Sequence, residues 1–267
     1  MIVFAAFVPH PPLLIPEIGK ESLKEVKPTE EAMLELSKRF EENDIDSVLI
    51  ISPHGNLNPY AMTIGMAPRF SGNFGEFNAP EISMSFPGNI ELSNNILNGA
   101  RKEKVPAETQ NHDDGYYVLD HGVMVPLYFL TKDSAKIEIV TIGYSMLDRA
   151  AHYSFGEIIG KICEKDERRI AIIASGDLSH KHQNNFGGID GAPEKFDNLV
   201  RNSLQKFDPE KIIYADEDMQ EAAGECGYRS LLIALGAIAQ KKIEPEVLSY
   251  EHPFGVGYLV VDFQVSE

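Results

Sequence analysis

Four short runs of branched apolar residues constrain this chain more than any other feature: Ile2–Val8, Ser47–Ser52, Ile137–Ile142 and Ile170–Ala174. Each has the length of a strand, lacks the polar alternation of a half-exposed one, and is closed by Pro or Gly. Strands apolar on both faces must be covered on both faces. Segments of helical periodicity lie between and around them, at 29–40, 90–101, 122–130, 150–163, 193–207 and 227–239, with Asn89 placed to cap the second. The predicted architecture is therefore α/β, a three-layer α/β/α sandwich. Further β-rich runs at 61–66 and 82–86, and a C-terminal pair at 246–250 and 257–265, predict some antiparallel pairing and hence a mixed central sheet. No solenoid repeat, low-complexity segment or long polar linker interrupts the chain, so residues 1–267 are expected to form one domain.

Three of the apolar runs deliver a histidine just past their ends. Ile2–Val8 runs into Pro9-His10, Ser47–Ser52 into Pro53-His54, and the run from Ile170 into Gly176-Asp177-Leu178-Ser179-His180. In open α/β sheets ligands bind outside the carboxyl ends of the strands. If these strands are parallel neighbours, the three rings converge. Two histidines and one carboxylate would form a facial triad that leaves positions free for substrate and O₂. His121, in Leu119-Asp120-His121-Gly122, is expected at the site mouth as a hydrogen-bond donor, with a plain helix start as the alternative. Asp177 is a candidate acceptor fixing the tautomer of a nearby ring, or an ordinary turn residue. His112, His152, His182 and His252 have no apolar strand delivering them and are assigned surface or capping roles, with 181–185 expected as solvated loop. The glycine-containing stretch 186–191 follows no strand and lacks the lysine of a phosphate loop.

The third metal ligand is either Glu225 or Cys226, adjacent at the start of a helical segment. Neighbours there diverge by ~100° around the axis, so one of the two is expected, not both. Glutamate suits Fe(II) or Mn(II); a thiolate suits Zn or Cu(I) and oxidises readily beside O₂. Ligand hardness tilts the expectation to Glu225, with Glu251 a weaker candidate. Otherwise Glu225 complements the helix dipole and Cys226 is a small buried apolar residue.

Charge excludes some functions. Lys and Arg number 24 against 41 Asp and Glu, a net charge of −17, which repels phosphate backbones and argues against nucleic-acid binding. No apolar run reaches the ~18 residues that span a bilayer. The apolar start lacks the basic flank of a secretory leader, and two cysteines, Cys163 and Cys226, suggest no disulfide framework. A cytoplasmic location is the expectation, and a homo-oligomer is compatible with it.

Together, Val8-Pro9-His10-Pro11-Pro12, Ile51-Ser52-Pro53-His54-Gly55, Leu119-Asp120-His121-Gly122-Val123-Met124-Val125-Pro126-Leu127 and Ser175-Gly176-Asp177-Leu178-Ser179-His180 resemble the class III extradiol ring-cleavage dioxygenases, a superfamily that includes the Memo-like proteins. The resemblance implies a mixed-sheet α/β/α fold, His10 and His54 as metal ligands, His180 as acid/base, and His121 as a group binding substrate or O₂. The dioxygenases place Glu at the third ligand, whereas Memo-like proteins are similar to Cys226-Gly227. The expected function is thus an Fe(II) enzyme opening a catechol-type ring with O₂. The alternatives are a Memo-like metal-binding protein with a redox or partner-binding role, holding Zn or Cu, and last a Zn-dependent hydrolase.

Overall fold

The computed structural model describes residues 1–110, 115–132, 136–182 and 191–266. His112 and the stretch 183–190, with the expectations placed on them, lie outside the described residues.

Eight strands form the central sheet. From one edge they are Glu246–Glu251, Tyr258–Asp262, Ile2–Val8, Ile170–Ser175, Ser47–Ser52, Glu138–Gly143, Met62–Gly65 and Ala107–Gln110. The four apolar runs are the four central strands and are mutually parallel, with Val8 level with Ser175, and Ser52 with Gly143. Their hydrophobicity is explained by burial on both faces. Phe7, Leu49, Ile51 and Ile172 point into one core with Ile96, Phe155, Val200 and Leu231. Phe4, Ala6, Val48 and Ile50 point into the other with Met33, Leu36, Val123 and Leu127. The first core is roofed by helices Ile90–Lys102, Arg149–Cys163, Ala192–Gln205 and Tyr228–Ala237, the second by Lys27–Glu41 and His121–Thr131. Asn89 caps its helix as expected, its side chain accepting from Leu92 N at 3.0 Å.

The expected antiparallel pairing is present. The C-terminal pair does form an antiparallel hairpin. The runs near 61–66 and 82–86, however, do not pair with each other. Met62–Gly65 enters the central sheet, antiparallel to Glu138–Gly143 and parallel to Ala107–Gln110. Ala79–Pro87 pairs with Arg69–Phe74, which in turn pairs with Tyr116–Val118, to make a separate three-stranded sheet. Arg69–Phe74 is polar and glycine-bearing and Tyr116–Val118 is only three residues long, so neither carries a strong hydrophobic signal.

Candidate metal centre and active-site cleft

Because Ile170–Ser175 lies between Ile2–Val8 and Ser47–Ser52, the segments after all three strands emerge side by side at one edge. His10 Nε2 and His54 Nε2 are 2.9 Å apart with their rings nearly perpendicular. Adjacent ligands at right angles around an ion, each at ~2.1 Å, are separated by about 3.0 Å, so this spacing suits two ligands of one ion. Cys226 Sγ stands 3.8 Å from His10 Nε2, within the ~4.4 Å that bonds of ~2.3 Å to sulfur and ~2.1 Å to nitrogen span across one ion. Among the described residues, His10, His54 and Cys226 form one group of donor atoms within 4.8 Å of each other, and Asp177, His180 and Cys226 form a second.

Hydrogen bonds hold these donors. Ser175 Oγ donates to the Gly122 carbonyl at 2.5 Å, so toward His10 Nδ1, 3.0 Å away, it can only accept. His10 therefore carries its proton on Nδ1 and turns a bare Nε2 lone pair to the site. His10 N donates to Asp177 Oδ1 at 3.1 Å. Ser52 Oγ accepts from His54 N and donates to Asp120 Oδ1 at 2.6 Å, and Asp120 caps the helix that His121 begins. That helix start is tight: a Cβ on Gly122 would lie 2.5 Å from Ser52 Oγ and 3.2 Å from His54 Cδ2. Cys226 is fixed by Gly176 and Gly227, which approach so closely that a Cβ on Gly176 would sit 2.1 Å from Gly227 Cα. The Asp177 N–H donates to Cys226 Sγ at 3.3 Å, and Gly227 N donates back to Asp177 O at 2.9 Å.

Burial, then the rings of His54, His121 and His180, hold His10 well below its ordinary value. Burial, then His121 and His180, bring His54 to about 4. Burial also lowers His121 and His180. Neutral imidazole is the form that binds metal or accepts a proton. Burial raises Asp177 to about 7. Burial, then the Asp177 charge, pushes the Cys226 thiol upward, an effect that a bound cation reverses.

The remaining expected residues separate clearly. His180 Nε2 is 3.7 Å from Cys226 Sγ and 3.9 Å from Asp177 Oδ2, with its side chain 38% exposed. The His121 ring lies 4.2 Å from that of His54. Glu225 is not in either donor group. Its carboxylate accepts from Tyr228 N at 2.5 Å and Gln220 Nε2 at 2.8 Å, which makes it a cap for helix Tyr228–Ala237. Glu251 accepts from Thr29 N at 2.9 Å, which spends it on the first turn of helix Lys27–Glu41.

Two histidines assigned to the surface are buried instead. His152 has no exposure and bonds Asp148 O and Ser145 O. His182 stacks on the exposed His252 at 4.1 Å and meets Asp197 Oδ2 at 2.7 Å. Asp197, also fully buried, accepts from Ser179 N, Ser179 Oγ and Tyr250 OH, and so pins the loop that carries Asp177 and His180. Two signals were present for these partners. Ser52 and Ser175 both end central strands, and Asp197 falls on the apolar face of its helix beside Phe196 and Val200.

Beside His54 and His121 a cleft of about 1180 Å³ opens, walled by the three-stranded sheet through Asn73, Ser83, Met84 and Tyr117. The Phe77 ring packs against His121 at 5.5 Å. A second hollow of about 470 Å³ lies beside Glu225 and Arg229. Among the described residues no helix is long and apolar enough to cross a membrane.

A family model described as the catalytic LigB subunit of aromatic ring-opening dioxygenase matches residues 4–261. Protein CA_C1420 of Clostridium acetobutylicum is 35% identical over 263 residues, covering 96% of this chain and 56% of that protein. The 3,4-dihydroxyphenylacetate 2,3-dioxygenase of Escherichia coli is 28% identical over 181 residues, covering 65% of this chain and 64% of the enzyme. A MEMO1 family protein of Methanococcus vannielii is 25% identical over 168 residues, covering 61% and 55%. The chain thus spans between 55% and 64% of the length of these curated relatives. An uncharacterized protein of Escherichia coli K12, JW3007, shares the fold, with a TM-score of 0.65 at 15% identity over 98% of this chain and 99% of that one. With almost its whole length matched, the chain belongs to the LigB family, the catalytic subunits of aromatic ring-opening dioxygenases.

Proposed function

We propose that this chain is a metal-dependent extradiol dioxygenase that opens a catechol-type ring with O₂, with His10, His54 and Cys226 holding the metal. The observation that carries the reading is the convergence of His10, His54 and Cys226 at one sheet edge, with the His121 ring against His54 and His180 Nε2 3.7 Å from Cys226 Sγ. When bound, Fe(II) would supply acidification of the diol oxygens and a route for electrons to O₂.

The chain's own groups do the rest. Ser175 sets the His10 tautomer, and Asp120 with Ser52 sets the direction of the His54 backbone. His180, held neutral by burial, accepts a phenolic proton at Nε2 and returns it later to the opening ring. His121 donates to a substrate oxygen from the cleft side. The cleft beside His54 and His121 receives the ring.

A second reading, a Memo-like metal protein without ring cleavage, is favoured by one observation: a thiol, not a carboxylate, occupies the third corner. Anaerobic loading with Fe(II), Zn or Cu(I), followed by a catechol panel under air, separates the two. Yellow ring-opened product from the Fe(II) form is expected, with Cys226→Ser losing metal and Glu225→Gln keeping it. Tight Zn or Cu binding with no product from the Fe(II) form would overturn ring cleavage in favour of the second reading.

A further inference from the structure

Among the described residues, the hollow of about 470 Å³ beside Glu225 and Arg229 shares no lining residue with the cleft at His54 and His121. Its charged lining is Asp148, Glu217, Glu221 and Glu225 with Arg149 and Arg229. A bare count makes it acidic, but the partners already in place decide which of these groups can take a ligand. Asp148 accepts from Ala151 N at 2.8 Å. Arg149 donates to Ile213 O and Ala215 O and pairs with Glu217 at 2.6 Å. Glu225 holds Tyr228 N and Gln220 Nε2. Glu221 is exposed, and the Lys181 ammonium is at hand, 3.2 Å from its carbonyl oxygen. His152, kept neutral by burial, is bonded to Asp148 O and Ser145 O.

Arg229 is what remains. Its side chain is half-buried, and the described residues give it no hydrogen bond and no ion pair. Its guanidinium carbon lies 5.8 Å from the centre of the Tyr144 ring, a contact that uses none of its N–H donors. Its charge acts on His152, Glu225 and Tyr228, so it stands among the walls of the hollow, and Glu225 feels it without pairing with it. It is also the second residue of helix Tyr228–Ala237, where the helix dipole disfavours a cation. A half-buried cation in that position lacks a counter-ion, and an anion entering the hollow supplies one.

One guanidinium offers parallel N–H donors that match a planar carboxylate, whereas a phosphate has more oxygens than this wall can serve. Leu147 and Leu232 supply apolar surface in the same hollow. The net charge of −17 opposes an anion at long range, but with a screening length of ~8 Å the guanidinium in contact decides. We propose that this hollow is a second ligand site, for a small monocarboxylate with an apolar body, in which Arg229 grips the carboxylate and Leu147 and Leu232 receive the body.

The test titrates 4-methylpentanoate, its amide, the matching amine 4-methylpentylamine and inorganic phosphate into the Zn-loaded full chain. NMR follows the methyl groups of Leu147 and Leu232 in the hollow, and of Met84 and Met124 in the other cleft. The acid should shift the two leucines saturably and bind about tenfold or more tightly than the amide, the amine or phosphate, as a charge-assisted, two-pronged contact implies. Arg229→Gln should bring acid and amide within about threefold of each other, and Arg229→Lys, which keeps the charge without the fork, should fall between. An acid that binds no better than its amide, a preference that survives Arg229→Gln, tighter binding of the amine or phosphate, or no binding at all overturns the proposal. Shifts confined to Met84 and Met124 would make the acid a ligand of the bound Zn and overturn it equally.

Discussion

Replacing Asp197 by Ala removes a fully buried carboxylate that serves four donors: Ser179 N at 3.0 Å, Ser179 Oγ at 2.5 Å, His182 Nε2 at 2.7 Å and Tyr250 OH at 2.8 Å. Each buried donor left without a partner costs about 1–3 kcal/mol, but the four share one cavity that relaxation and water partly refill. Breaking a buried charged network typically costs about 3–5 kcal/mol, and about 4 kcal/mol is expected here. At this chain length that corresponds to a fall in Tm of roughly 10 °C. Urea denaturation of metal-free protein measures it through the shift in midpoint at constant slope. Asp197→Asn, which keeps one acceptor for Ser179, should lose about half as much. Both variants should also loosen the loop from Asp177 to His182, seen as faster amide exchange at Ser179 and His180. A loss below about 1 kcal/mol for Asp197→Ala, or unchanged exchange in that loop, would refute the role given to this carboxylate.

Other perturbations read other parts of the site. His180→Ala should retain stoichiometric metal and abolish ring opening; loss of metal, measured by elemental analysis, would make His180 a ligand instead. Gly122→Ala drives a methyl toward Ser52 Oγ and His54, and should weaken metal binding about tenfold in a competition assay with a chelator while leaving the fold intact by circular dichroism. In metal-free protein, His54 sits at about 4 when folded against an ordinary 6.5, so the unfolded state protonates first. Its contribution is complete above about pH 6.5 and is lost as the pH falls toward 4, and His54→Gln should flatten that part of the stability profile. Asp177, raised to about 7, acts with the opposite sign: its contribution is present below about pH 4 and is lost as the pH rises through 7. Asp177→Asn should therefore improve stability at neutral pH relative to acid, and an unchanged profile in either variant would contradict the burial on which it rests.

The central strands were legible because burial on both faces forces uninterrupted Val and Ile, and a strand end has a fixed direction. Once Ile2–Val8, Ser47–Ser52 and Ile170–Ser175 are parallel neighbours, their histidines must emerge on one edge. The polar strands Arg69–Phe74 and Ala107–Gln110 and the three-residue strand Tyr116–Val118 were not legible, since pairing and not side-chain patterning makes them strands. The choice between Glu225 and Cys226 was open for a related reason. The expected divergence around a helix axis does not apply, because both precede helix Tyr228–Ala237, and which one faces the rings depends on how Gly176 and Gly227 let two backbones touch. His182 was misplaced because its polar neighbours suggest solvent, while its partner Asp197 lies fifteen residues away on another element.

The cleft wall and the donor edge belong to different sheets. Arg69–Phe74, Ala79–Pro87 and Tyr116–Val118 pair among themselves and share no ladder with the eight-stranded sheet that presents His10 and His54. Among the described residues the layers share the second core, through Phe70, Phe74 and Phe86, and Tyr117 OH donates to Gln110 Oε1 at 2.9 Å, whereas Ser71, Asn73, Ser83 and Ser85 line the cleft. Mutational drift can therefore act on the cleft face apart from that core. Substitutions at Ser71, Asn73, Glu76, Ser83 or Ser85 reshape what the cleft admits without passing strain to the strands that aim the imidazoles. Lineages carrying this architecture are free to diversify their substrates quickly while the donor edge changes slowly, and substitutions confined to the cleft-facing positions within 69–87 offer a laboratory route along the same path.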